Sequence, residues 1–305
     1  MLHFIVNPAS STGYGKKIWK ETEVKLTETN TAYKLYLTTG AGSAKQYAAE
    51  ITASDEPVIL VVLGGDGTIN EVLTGIRDFS LVTLGYIPAG SSNDLARDLM
   101  LTTDPKSALS YILHPKEYAY MDIGIIKYQD GEKNFGVSTG IGFDAAICHE
   151  ALHSNIKNFL NRLHLGKLTY VGIALKQLAR TKKQGCTIIL DDTRKIRLDR
   201  FYFVTCMIHK YEGGGFMFCP DADYKDGILN VCAAGNFSKL KALRILPTAY
   251  KGKHTRFQGI TTYQAKKVTI ITDIPRPVHA DGESCGIQSF ITMTQELKQL
   301  RVIIR

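Results

Sequence analysis

VILVVLGGDGTINEVLTGI, residues Val58 to Ile76, opens with six apolar residues and breaks into Gly64-Gly65-Asp66-Gly67-Thr68 before an amphipathic run. The apolar part reads as a parallel strand buried on both faces. A glycine-rich link is costly in backbone entropy, and this one also carries a charge. Between a parallel strand and a helix, such a turn brings bare main-chain N–H groups and a helix amino terminus to one point, which suits phosphate oxygens. The spacing is neither G-x-x-x-x-G-K-[ST] nor G-x-G-x-x-G. Asp66 alone would repel a polyphosphate. It is open to two readings: a partner for Mg²⁺, directly or through water, or a turn residue capping the next helix.

A second stretch has the same design. GYIPAGSSNDLARDL, Gly85 to Leu99, ends a strand in small residues and opens a helix at Ser91, Ser92, Asn93 and Asp94, all good amino-terminal caps. Two such loops at the carboxyl ends of strands in one sheet face a common crevice, where open α/β sheets bind ligands.

The surrounding 125 or so residues alternate short β-rich runs with amphipathic ones: LHFIVN, KKIWKETEVKLTE, AYKLYLTT, SAKQYAAEIT, PVILVVL, LVTLGYI and NDLARDL. After DPKSALSYILH the rhythm becomes that of antiparallel strands, with YAYMDIGIIKYQ and KNFGVSTG around the turn QDGEK, then CTIIL, KIRLD, RFYFVTCMI, GILNVCAA and KKVTIIT. Helical stretches interrupt near 156–180 and 238–250. The fold expected is α/β plus β. Residues 1–125, joined by the basic strand LRVIIR within 296–305, form a parallel-sheet nucleotide-binding domain. Residues 126–295 form an antiparallel β-sandwich domain for the substrate.

Lysine and arginine outnumber acidic residues 37 to 29 among 305, which favours anionic partners. Six scattered cysteines without C-x-x-C, several inside apolar runs, fit buried thiols in a reducing cytosol. The amino terminus lacks the pattern of a secretory signal, and no apolar run has the length of a spanning helix. The expected location is cytoplasmic, with peripheral membrane contact.

GGDGTINE followed by PAGSSNDLAR resembles the diacylglycerol kinase catalytic domain family, a group of bacterial lipid kinases related to sphingosine and ceramide kinases. NPASSTGYGK, LTTGAGSA, STGIGFDA, FCPDADYKDGILNV and HADGE extend the likeness in order over nearly the whole chain. The glycine loop alone is shared with NAD kinases and phosphofructokinases; the ordered set is more specific. One departure is Gly90-Ser91-Ser92-Asn93-Asp94, where the family usually has Gly-Thr-x-Asn-Asp. Serine keeps the hydroxyl and loses the methyl.

The resemblance implies ATP-dependent phosphorylation of diacylglycerol or a related lipid, giving a phospholipid such as phosphatidic acid. It implies ATP contacts at Asn7, Thr38, Gly64, Gly65, Asp66, Gly67, Thr68, Ser91 and Asn93, and a catalytic Mg²⁺ at Asp66. Asn93 and Asp94 either orient that loop or cap its helix. Glu283 matches the family's proton acceptor; Asp281 is the alternative, or serves the Asp-Gly turn. Asp223, Asp226 and Ile228 match a structural Mg²⁺ site or form a plain Lys-Asp-Gly turn.

Other acceptors, a sphingoid base or NAD, stay open, as do a non-catalytic lipid- or nucleotide-binding regulator and a homodimer; nucleic acid is not an expected partner. His149-Glu150-Ala151-Leu152-His153 fits the zinc-protease helix H-E-x-x-H, with no obvious third ligand following. Asn155 to Gly185 mixes large aliphatics with basic residues. It reads either as an interfacial membrane helix or as a domain-packing helix with a solvated basic face. The glycine loop KYEGGGF, Lys210 to Phe216, either admits substrate or merely connects strands.

Overall fold

Strands β1 (Leu2–Val6), β2 (Tyr33–Leu37), β3 (Val58–Gly64) and β4 (Val82–Pro88) build the first sheet of the computed structural model, which describes residues 1–143, 145–146 and 184–305. Its order is β2-β1-β3-β4-β18-β5, with β5 at Tyr118–Met121 and β18 at Leu300–Ile303. All neighbours run parallel except β5, which pairs antiparallel with β18. LRVIIR therefore returns to the first sheet, between β4 and β5.

Period-two alternation explains how two faces are filled at once. Phe4, Val6, Val61 and Leu63 meet Ile18, Trp19, Leu26 and Leu109 of helices α1 (Ser10–Glu28) and α5 (Pro105–Leu113). Ile5, Leu60 and Val62 meet Ala48, Ile69 and Leu73 of α2 (Ser43–Ile51) and α3 (Asp66–Gly75), and Leu95 of α4 (Asp94–Asp98). After β1 the chain crosses to one side to make β2, then to the other to make β3. The strand order switches between β1 and β3, and the crevice above their carboxyl ends is where such sheets bind ligands.

The second sheet is antiparallel and ten-stranded. Its longest pair is the hairpin β16 (Val268–Ala280) and β17 (Glu283–Gln295). The hairpin turns on Asp281 and Gly282, both left-handed at φ 48 and 82, as a two-residue type I′ loop requires.

Three sequence readings are corrected here. YAYMDIGIIKYQ is not one strand: β5 stops at Met121, and β6 (Gly124–Tyr128) belongs to the other sheet. At the break, Asp122 donates its N–H to Tyr224 O, and its carboxylate takes the Gly227 N–H and Gln299 Nε2, which turns the backbone out of the ladder. KNFGVSTG is likewise divided into β7 (Gly131–Phe135) and β8 (Ser138–Gly142), because the Gly136 and Val137 amides point to Asp281 instead of a strand partner. The strand read at KKVTIIT runs on to Ala280 through Pro275 and Pro277, whose missing N–H groups are accommodated where the β16–β17 register shifts.

His149 to His153, Cys148 and the basic segment up to Lys183 lie outside the described residues. Among the described residues no helix is long and apolar enough to cross a membrane.

Candidate active site

The two small-residue loops touch through glycine backbone. A Cβ on Gly65 would lie 2.9 Å from Gly90 Cα, so neither position accepts a side chain without movement. Asp66 then ties them together. Its carboxylate accepts the Asn93 N–H at 2.8 Å and the Asp94 N–H at 2.9 Å. The capping reading thus holds for a different helix than expected: Asp66 satisfies the first amides of α4, while α3, which it opens, has no side-chain cap. Burial, followed by the neighbouring Asp94 carboxylate, pushes the Asp66 pKa up to about 6 against the two main-chain donors.

Asn93 does not cap. It adopts a left-handed backbone, φ 50, and closes its own loop: Oδ1 accepts from Gly90 N–H at 3.0 Å and Nδ2 donates to Gly90 O at 2.9 Å. Asp94 is buried and accepts the Gly214 N–H at 2.8 Å, so the loop Gly213–Gly215 closes on the crevice rather than only joining strands. Burial raises the Asp94 pKa.

At the switch point Asn7 Nδ2 donates to Thr68 Oγ1 at 3.1 Å, joining the end of β1 to the first turn of α3. Ser11 and Thr12 beyond it hold left-handed φ values of 44 and 61, a strained turn of the kind that clusters at ligand sites. Thr38 stands half-exposed after β2 with its N–H on Val6 O, and Ser91 is exposed at the loop tip. Asn7, Thr38, the Gly64–Thr68 turn, Ser91 and Asn93 thus follow the ends of the four parallel strands β1 to β4.

The second sheet closes the crevice from the other side. A Cβ on Gly67 would lie 3.2 Å from Glu283 Oε1, so that carboxylate stands against the amino-terminal turn of α3. Asp281 is differently occupied. It accepts from Gly136 N at 2.8 Å, Val137 N at 2.8 Å, Ser138 N at 2.8 Å and Asn70 Nδ2 at 3.0 Å. Four donors on one carboxylate make Asp281 the anchor of the hairpin turn.

Sequence reasoning missed several residues. Asn70, buried on α3, also donates to Asn134 O at 3.2 Å and so links α3 to the second sheet. Its spacing of four from Asp66, one helical face, was the available signal. His279 is buried beneath the Glu283 turn: its Nδ1 accepts the Gly282 N–H at 3.2 Å, and its Nε2 lies 3.1 Å from Glu212 Oε1. Glu212 precedes the loop that reaches Asp94. Asp98 and His209 form a further buried pair, 2.8 Å between Oδ2 and Nδ1, joining α4 to the end of strand Phe201–Met207. Nothing local in the sequence announces either pair.

Farther off, Asp226 Oδ1 accepts the Ile228 N–H at 2.9 Å and Asp223 Oδ1 accepts the Lys225 N–H at 3.3 Å, around Gly227 at φ 71. The expected turn is present. Burial, then the charges of Asp223 and Asp122, raises the Asp226 pKa. Among the described residues, no three His, Cys, Asp or Glu side chains are grouped to hold a metal ion.

Comparison with known proteins gives consistent results. The diacylglycerol kinase catalytic domain matches residues 1–124, and the YegS C-terminal NAD kinase beta sandwich-like domain matches residues 138–303. A Bacillus subtilis (strain 168) protein provisionally named as the lipid kinase YtlR is 29% identical over 295 residues, 94% of each chain. A diacylglycerol kinase of Mycobacterium tuberculosis (strain H37Rv) is 31% identical over 255 residues, 83% of this chain and 79% of the relative. The crystal structure of a provisionally named diacylglycerol kinase from Bacillus anthracis strain Sterne superposes with a TM-score of 0.75 at 22% identity, covering 100% of this chain and 95% of that one. At that identity the likeness bears on the fold.

Proposed function

This chain belongs to the diacylglycerol kinase family, and on that premise we propose that it transfers the γ-phosphoryl group of ATP to the hydroxyl of diacylglycerol or a closely related lipid alcohol. The observation that carries the reading is the meeting of Glu283 with Gly67, which brings a carboxylate of the second sheet to the turn of the first that suits phosphate. The acceptor oxygen attacks the γ-phosphorus, the bond to the β,γ-bridging oxygen breaks, and ADP leaves with the electron pair. The acceptor proton passes to Glu283. In a loose transition state that proton leaves late, so a modest base suffices.

The carboxylates fit a divalent cation accompanying the nucleotide. Asp66 carries a raised pKa beside Asp94, and Asp94 Oδ1 is buried, paired in charge with Arg97 Nη1 at 3.3 Å and without a hydrogen bond among the described residues. Like charges held together favour a cation between or near them. Mg²⁺, when bound, neutralises phosphate charge. Asp66 and Asp94 would hold it through water and phosphate oxygens, since no three side-chain ligands converge among the described residues. Asp226, with main-chain oxygens at Asp223 and Ile228, is the proposed second, structural Mg²⁺ site.

Labelled ATP offered with diacylglycerol, a sphingoid base and NAD tests the reading. Label is expected in phosphatidic acid. Transfer to NAD or to the sphingoid base instead would replace the acceptor, and no transfer to any of them would leave a binding protein.

His279 supplies a sharper check on Glu283. In a type I′ turn the Gly282 N–H has no partner within the hairpin ladder, and here it is fixed by His279 Nδ1. Asparagine carries a polar atom where Nδ1 stands, and glutamine one where Nε2 stands. His279→Asn is therefore expected to keep kcat within about threefold, whereas His279→Gln loses roughly tenfold with the KM for ATP unchanged. Steady-state kinetics decide it, and equal losses would remove the turn contact from the account.

A further inference from the structure

We propose that residues 239–257 form the surface that seats this protein on an anionic lipid bilayer. This goes beyond the lipid-kinase reading and rests on it for its purpose. Between Gly227 and Thr272 the chain has no acidic residue, and six of its lysines and arginines fall at Lys239, Lys241, Arg244, Lys251, Lys253 and Arg256. Interleaved with them are large apolar side chains turned to solvent: Leu240 is 62% exposed, Leu243 39%, Tyr250 45% and Phe257 37%. The helix Lys239–Ile245 buries Ile245 and presents Leu240 and Leu243, three apart, on its outer side; Pro247 then begins a tighter 3₁₀ turn that carries Tyr250.

Single leucines are common on surfaces, and a basic run is commonly solvated. The combination here differs, because exposed aliphatic and aromatic groups alternate with cations along a stretch of sequence that contains no acidic residue. Insertion of the apolar groups at headgroup depth, with lysine and arginine heads meeting lipid phosphates, satisfies both. Nucleic acid would leave Leu240 and Leu243 without a function, so a bilayer is the better match.

The position of the patch gives it a purpose. Tyr250 stacks on Phe216 with ring centroids 4.0 Å apart. Phe216 directly follows the loop whose Gly214 N–H is held by Asp94. The Asp94 charge also contributes to raising the Tyr250 pKa, after burial. The surface therefore lies one loop away from the crevice. A protein seated through it would draw the hydroxyl of a lipid towards the site while the acyl chains stayed in the membrane.

Sedimentation of the full chain with phosphatidylcholine vesicles, with and without phosphatidylglycerol, tests this. Wild type is expected to partition at least about tenfold more onto the anionic vesicles, less so at high salt. The quadruple change Arg244→Glu, Lys251→Glu, Lys253→Glu and Arg256→Glu should remove that preference. The uncharged pair Leu240→Ser and Leu243→Ser should weaken binding severalfold, and probes the patch without altering charge. An equal charge reversal on the other domain, at Lys20, Lys34, Lys106 and Lys116, should leave binding near wild type. Each docking variant should retain turnover on a water-dispersed short-chain diacylglycerol and lose it on vesicle lipid.

Equal wild-type binding to neutral and anionic vesicles overturns the proposal. So does an unaffected docking variant, or a control variant that loses as much. If vesicle binding behaves as expected while no diacylglycerol is phosphorylated in either form, the substrate reading fails and the docking surface stands.

Discussion

Asp66→Asn is expected to lower kcat/KM for phosphoryl transfer by roughly a thousandfold, the largest single loss in the molecule. Two effects combine. The carboxylate takes two main-chain N–H groups, from Asn93 and Asp94, and so fixes the second loop against the first. A carboxamide retains one acceptor and turns its NH₂ towards the other donor, which loosens the start of α4. The substitution also removes the negative charge that would anchor the cation of MgATP.

The pH behaviour follows from the Asp66 pKa of about 6, raised from 3.8 by burial and then Asp94, with Asp281 adding a smaller push the same way. The folded state holds this proton more tightly than the unfolded chain does. Between about pH 4 and pH 6 the folded protein therefore binds more protons. The contribution of Asp66 to stability is present below that window and is lost as pH rises through it. Denaturation curves without Mg²⁺ should show this slope in wild type and a flatter one in Asp66→Asn. Activity should run the opposite way, falling as pH drops below about 6 and the carboxylate is neutralised. An identical stability slope in the two proteins would remove Asp66 as its source.

Glu283→Gln is expected to cost roughly a hundredfold to ten-thousandfold in kcat while leaving the KM for ATP and the thermal midpoint unchanged. The amide keeps the shape and loses the ability to take the acceptor's proton. Asp281→Asn, two residues away, should show the reverse emphasis. Its carboxylate serves four N–H donors at once, and replacing one oxygen by NH₂ leaves buried amides opposed to another donor. The thermal midpoint should fall by several degrees, and activity only as far as the turn shifts. Calorimetry beside steady-state kinetics separates the two carboxylates; a Glu283→Gln enzyme with wild-type kcat would remove the proton acceptor from the mechanism.

Much of this site is legible in the chain because its parts are local. A strand ending in Gly64-Gly65, a helix starting at Asp66 and a repeat of that design at Gly90 to Asp94 are short-range patterns, and the parallel sheet aligns them without further instruction. What stayed hidden is long-range or breaks a local rule. Asp66 caps a helix 28 positions on, not the one it begins. The β16 strand contains two prolines that argue against a strand, and only its irregular pairing lets it continue to the Glu283 turn. His279 stands on the second sheet and Glu212 on a separate two-stranded ribbon, and only the tertiary fold brings them together. Asp122 changes the sheet to which the chain belongs, inside a run whose alternation is that of one uninterrupted strand.

The most direct test is a crystal structure of the protein with a non-hydrolysable ATP analogue and Mg²⁺. The triphosphate is expected in the crevice between the Gly64–Thr68 turn and the Gly90–Asp94 loop, its terminal phosphate facing Glu283 and the metal on the Asp66 side. A nucleotide bound elsewhere, or a terminal phosphate turned away from Glu283, would contradict it.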